Sequence, residues 1–123
     1  MENGTTEQVP WSREEMFLNV ADLCAGNGLP APESFYVYGN NIASLCFRSF
    51  ADLTLWAEPL AAHSVIDEVV RSSELGPIRI IHAHANLGGW SLPINAYEPA
   101  TDEETAELEA REAAQRAREL VQA

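Results

Sequence analysis

The sequence predicts an α+β fold: a small antiparallel sheet of four or five strands packed on one or two helices, with an acidic C-terminal helix. Three observations carry that expectation. Helix-start signals at Ser12, Ser49 and Thr101 each open a stretch of helical spacing. Between them lie segments of β-branched and aromatic residues broken by Gly and Asn. The chain has 123 residues, 46% of them hydrophobic, which suffices for one core in one domain.

Residues 1–10 read as a flexible lead, residues 11–100 as a single α+β domain and residues 101–123 as a charged helix. In the first helix Ser12 and Glu15 form a capping box, S-x-x-E, in which each side chain accepts the other residue's backbone N–H. Trp11 and Met16 stand at the positions of a hydrophobic staple, and Phe17, Val20, Leu23 and Cys24 continue the apolar stripe. The helix should stop in "GNGLPAP", with Gly26 as the left-handed cap and Pro30 and Pro32 blocking continuation. The stretch "SFYVYGNNIASLCFRSF" reads as a hairpin turning at "GNN", with a two- or three-residue loop. Ser49 and Asp52 suggest a second capping box, followed by Phe50, Leu53, Trp56, Ala57 and Leu60 on one helical stripe, and Pro59 should end that helix near Glu58. Residues 61–76 mix helical spacing with β-branched content and are assigned a short strand.

The segment "RIIHAHANLGGWSLPINAYEP" predicts its own register. With Gly88-Gly89 as a two-residue turn, Leu87 faces Trp90, Ala85 faces Leu92, Ala83 faces Ile94 and Ile81 faces Ala96, an entirely apolar face. Arg79 then opposes Glu98. The other face pairs His84 with Pro93, His82 with Asn95 and Asn86 with Ser91. Pro93 sits where its missing N–H points away from the partner strand, so the last strand is expected at a sheet edge. From Thr101 onward the chain is Ala, Glu and Arg, with a third capping box at Thr101 and Glu104 and i, i+4 pairs Glu107–Arg111 and Glu112–Arg116. Its apolar seam is thin: Leu108, Leu120 and Val121.

Nineteen acidic residues against seven basic ones give a formal net charge of −12. Direct nucleic-acid binding needs clustered Lys or Arg, and none is present; anionic membranes are excluded on the same ground. A basic protein partner fits the charge better. The chain contains no lysine, which removes Schiff-base chemistry and the phosphate-loop lysine. Cys24 and Cys46 fall in no zinc or redox spacing and read as buried thiols. No apolar run spans a bilayer and the polar start lacks a secretory pattern, so a cytoplasmic location is expected.

In "GLPAPESFYVY", "DLTLWAEPL" and "LGGWSLPINAYEP" the chain resembles small acidic uncharacterised proteins of actinobacteria and their phages. Those proteins join a helix, a strand pair, a helix carrying "WA" and a final "GG" hairpin. The resemblance implies an actinobacterial or phage origin; it carries over no functional residue and no activity.

His82 and His84, at i and i+2 on a strand, project to one side about 6–7 Å apart and could share a zinc ion. A third ligand would have to come from His63, Asp67, Glu68 or Glu98. Two histidines are about half of a zinc site. The favoured expectation is therefore no metal, no cofactor and no catalytic residue. Ile80, His82, His84, Asn95 and Tyr97 instead form a partner-binding face. The function expected is non-enzymatic protein binding, by a phage-encoded or actinobacterial protein acting on a host factor. The alternatives are a metal-dependent hydrolase using His82 and His84, and an acidic nucleic-acid mimic. The sequence leaves the oligomeric state open, with a homodimer among the options.

Overall fold

A computed structural model describes residues 9–122; of the expected flexible lead, residues 1–8 lie outside the described residues. The elements are α1 (Arg13–Asn27), β1 (Ser34–Gly39), β2 (Ile42–Phe47), α2 (Phe50–Ala57), β3 (His63–Ser72), β4 (Gly76–Leu87), β5 (Trp90–Pro99) and α3 (Asp102–Gln122). This is the expected α+β fold, but the sheet is mixed rather than antiparallel, because β2 and β5 run parallel. The five strands form one sheet in the order β1-β2-β5-β4-β3.

The capping boxes at the starts of α1 and α3 form as expected. Ser12 Oγ accepts the Glu15 N–H at 3.1 Å and Glu15 Oε1 accepts the Ser12 N–H at 2.8 Å. Thr101 and Glu104 make the same reciprocal pair. At α2 only half of the box forms: Ser49 Oγ accepts the Asp52 N–H, while the Phe50 N–H donates to Glu98 Oε2 on β5 at 3.1 Å. Two features near α1 differ from the expectation. The left-handed cap is Gly28 (φ 64), not Gly26, because helical spacing persists to Asn27 and only Pro30 halts it. Phe17 leaves the buried stripe and packs edge-on against Phe35, ring centroids 4.9 Å apart.

In the first hairpin, Gly39 pairs with Ile42 around Asn40 and Asn41, and Tyr38 is the extra residue of a bulge. Residues 63–72 form a ten-residue strand, longer than expected, paired along β4 from Ser72↔Gly76 to His63↔His84. The β4–β5 hairpin has the register read from the sequence, residue for residue from Leu87↔Trp90 to Arg79↔Glu98.

The expected edge position of the last strand is wrong: β5 is central, lying antiparallel to β4 and parallel to β2. Pro93 is tolerated because β2 and β5 pair at Ile42↔Ser91 and again at Leu45↔Ile94, leaving a gap opposite its missing N–H. Trp90, Leu92, Ile94 and Ala96 are all at most 2% exposed, a burial that only a flanked strand achieves.

The core lies between this side of the sheet and helices α1 and α2, around Met16, Leu45, Phe47, Trp56, Leu92 and Ile94. Both core indoles satisfy their N–H: Trp56 Nε1 donates to the Pro30 carbonyl and Trp90 Nε1 to the Trp11 carbonyl, each at 2.7 Å. Trp11 in turn donates its backbone N–H to the Gly88 carbonyl at 2.9 Å, and its indole lies over that turn. A Cβ on Gly88 (φ 58) would stand 2.0 Å from the Trp11 ring, so the residue must be glycine for conformation and for space.

Helix α3 is held mainly by charge. Arg71 makes a bidentate pair with Glu112 (3.0 and 2.9 Å), and Arg111 Nη2 donates to the Val69 carbonyl at 2.9 Å. Arg111 and Glu112 thus bond β3 rather than serving only as i, i+4 partners within the helix. Arg79 opposes Glu98 in register, but its guanidinium bonds Asp67, stands 5.2 Å from the Phe50 ring centroid and approaches Glu104 at 3.7 Å. Leu108 is the one apolar α3 residue that is buried; Leu120 and Val121 are open to solvent.

Three outcomes are expected. Gly88→Ala should lower unfolding free energy by about 1–3 kcal/mol in denaturant titration, the cost of a strained φ with a steric clash. Deleting residues 101–123 should preserve cooperative melting, since burying one leucine contributes only ~1.5–3 kcal/mol; a non-cooperative melt would place α3 in the core. Arg79 holds the Asp67 carboxyl below the usual carboxylate range, and Arg71 does the same to Glu112. The Asp67 pair stabilises the β3–β4 pairing and the Glu112 pair the docking of α3 on β3, each fully above the unfolded carboxylate pKa of about 4 and lost as pH falls through the lower folded value. NMR shifts of α3 should therefore report its loosening below about pH 4, before the core melts.

Candidate binding surface

Strand alternation divides the sheet into two sides. Ile81, Ala83 and Ala85 of β4 point toward the helices, as does Arg79 beneath α2 and α3. Among the described residues no helix covers the opposite side.

The ladders place the side chains of this open side in rows across the sheet. One row runs Ser34, Cys46, Asn95, His82, Ile66. A second runs Tyr36 and Ser44, then Pro93, His84 and His63. A third joins Tyr97, Ile80 and Glu68. The five residues read as a binding face from the sequence, Ile80, His82, His84, Asn95 and Tyr97, therefore do share one surface. Tyr97 is 37% exposed, and Ile80, His82, His84 and Asn95 are half-buried.

Sequence reasoning missed the far half of the same surface. Tyr36, Tyr38 and Ile42 are 54%, 66% and 46% exposed and extend the face across β1 and β2. Their signal was the alternation in "SFYVYG"; what could not be seen was the parallel β2–β5 pairing that makes the two hairpins coplanar. The rings of Tyr36 and Tyr38 lie 6.2 Å apart, and the Ser44 hydroxyl donates to Tyr38 Oη at 3.3 Å, fixing that ring over β2. His63, the third histidine, stands with its ring centroid 5.4 Å from that of His84. His84 Nε2 is 3.4 Å from Ser91 Oγ, and His63 Nδ1 is 3.0 Å from Ser64 Oγ.

The charge distribution is uneven. The strands β1 and β2, residues 80–87 of β4 and residues 90–97 of β5 contain no Asp, Glu or Arg, in a chain of net charge −12. Glu68, on the edge strand β3, is the first carboxylate met on the open side.

Of the four side chains considered as a third zinc ligand, His63 stands beside His84 and Glu68 lies on the open side opposite Ile80. Asp67 and Glu98 point to the helix side, where they bond Arg79 and the Phe50 N–H. Among the described residues no three His, Cys, Asp or Glu converge closely enough to hold a metal ion. Burial pushes the Cys46 thiol up, with the hydrogen bond to Ser34 opposing and the Glu33 charge adding; burial pushes Cys24 up as well. Neither cysteine is thereby primed as a nucleophile. A concavity of about 660 Å³ lies along α3, lined by Arg71, Glu109, Glu112, Gln115, Arg116 and Glu119. No described helix is long and apolar enough to cross a membrane. In comparison with known proteins, the chain matches no family model, no curated protein and no solved structure.

Proposed function

We propose that the chain is a non-enzymatic protein-binding module that recognises its partner with the open sheet face. The observation that carries this reading is the uncovered, charge-free platform bearing Tyr36, Tyr38, Ile80, His82, His84, Asn95 and Tyr97 on an otherwise strongly acidic chain. Depletion of charge with enrichment of tyrosine is the composition of an interface centre, and the acidic surroundings suit a partner whose rim is basic. An origin in actinobacteria or their phages makes a cytoplasmic host protein the natural partner class.

The test is substitution on a surface that supports no core. His82→Ala with His84→Ala, and separately Tyr97→Ala, should change unfolding free energy by less than about 1 kcal/mol. Each should weaken capture of the partner from an actinobacterial lysate by roughly tenfold or more, as loss of a central interface residue does. Capture unchanged in both variants would remove the open face from the interaction. Elemental analysis separates the hydrolase reading: one zinc per chain, lost in the double-histidine variant, would favour it, whereas this reading expects no stoichiometric metal.

A further inference from the structure

The two edges of the sheet are built differently. At the β3 edge the register shifts between His63 and Ile66, and Ser64 takes φ 56. Arg111 occupies the Val69 carbonyl, and Asp67, Glu68 and Arg71 place charge along the strand. Bulges, charges and covering side chains are the devices that stop an edge from pairing with another chain. The β1 edge has one bulge, at Tyr38, and lacks these devices over residues 34–37. It carries no charge and no proline, and among the described residues no side chain bonds its outward backbone groups. Aromatic side chains flank that bare edge on both sides: Tyr36 and Tyr38 on the open face, and Phe17, 48% exposed, against Phe35 on the helix side.

We propose that β1 pairs antiparallel with β1 of a second copy of this chain, about a two-fold axis at Tyr36, so that two sheets become one. An axis perpendicular to the sheet keeps both open faces on one side, and pairing in even register preserves side-chain alternation. Tyr36 then meets its own counterpart, Phe35 meets Val37 and Ser34 meets Tyr38. Glu33 falls opposite Gly39, so this register brings no like charges together within the strand pair, a strong constraint for a chain of net charge −12. The strand is about 20 Å long, and a sheet-plus-helix edge is about 20 Å deep, which gives ~400 Å² per copy. That is about half of a standard interface, so the dimer is concentration-dependent. Salt strengthens it by screening the repulsion between two acidic bodies, the opposite of its effect on binding to a basic partner. The inference stands on the edge strand and does not rest on what the open face binds.

The experiment is sedimentation velocity of the full chain over a dilution series at two ionic strengths. The expected result is a monomer–dimer equilibrium that tightens with salt. Tyr36→Lys and Tyr36→Glu should each weaken self-association about tenfold or more, a difference of ~1.4 kcal/mol. An equimolar mixture of the two variants should re-associate, because opposite charges then face each other across the axis. A chain that stays monomeric at every soluble concentration overturns the proposal, as does a dimer indifferent to both substitutions. Failure of the mixture to re-associate overturns the register. Hydrogen exchange on the unsubstituted protein gives a reading that does not depend on the variants folding: β1 amides should slow as concentration rises, and unchanged exchange rejects β1 as the interface.

Discussion

The structure depends on the position of β5. Among the described residues this strand, itself half of the second hairpin, carries the sheet pairing to the first, parallel to β2 on one flank and antiparallel to β4 on the other. Its helix-side residues Trp90, Leu92, Ile94 and Ala96 form the centre of the core, and the alternate residues Ser91, Pro93, Asn95 and Tyr97 form the centre of the open face. Because side chains alternate with period two, burying one set dictates the exposure of the other. A slip of one residue would put four core side chains in solvent. The register of the candidate binding surface is therefore enforced by the hydrophobic core rather than by any interaction on the surface itself.

The ends of β5 are secured by contacts that link distant parts of the chain. At its start, the Trp90 indole bonds the Trp11 carbonyl, and Trp11 bonds and covers the glycine turn. The entry to α1 is thus attached to the β4–β5 hairpin nearly eighty residues later. At its other end Glu98 caps α2 through the Phe50 N–H, while Arg79 lies over the Phe50 ring. Charge serves structure here. Arg79, Asp67, Glu98 and Glu104 gather where α2, α3 and the β3–β4–β5 strands approach one another, on the side away from the platform. Exposed ion pairs contribute little individually, so this cluster orients α3 more than it stabilises the whole.

What could be read from the sequence was what local chemistry decides. Capping at Ser12 and Thr101, the stop before Pro59 and the register of the β4–β5 hairpin all depend on neighbours a few residues away, and all agree with the structure. The failures were tertiary. Pro93 was legible as a residue that cannot donate, but which strand its missing N–H would face depends on a parallel pair whose members are separated by α2, β3 and β4. Arg79 and Glu98 were correctly opposed, yet each found a stronger partner from another element. Half of the open face was legible for the same reason: Ile80, His82, His84, Asn95 and Tyr97 lie within one hairpin, whereas Tyr36, Tyr38 and Ile42 join them only through the crossover.

The distribution of charge links the fold to the proposed function. A uniformly acidic surface would need only a general explanation, since net charge keeps a small domain soluble. Here the acidic residues are concentrated in the helices and on β3, and the four strands β1, β2, β5 and β4 present tyrosine, histidine, asparagine, serine and isoleucine without a carboxylate over the middle of the sheet. A platform meant only to contact water gains nothing from excluding charge, and the same positions would tolerate Glu or Arg as solvated side chains. A platform that must shed its water on contact gains much, because an unpaired buried charge costs far more than a buried tyrosine or a hydrogen-bonded asparagine. In the binding role proposed above, the acidic periphery would act at long range, favouring approach by basic surfaces and opposing acidic ones, with the neutral centre as the contact.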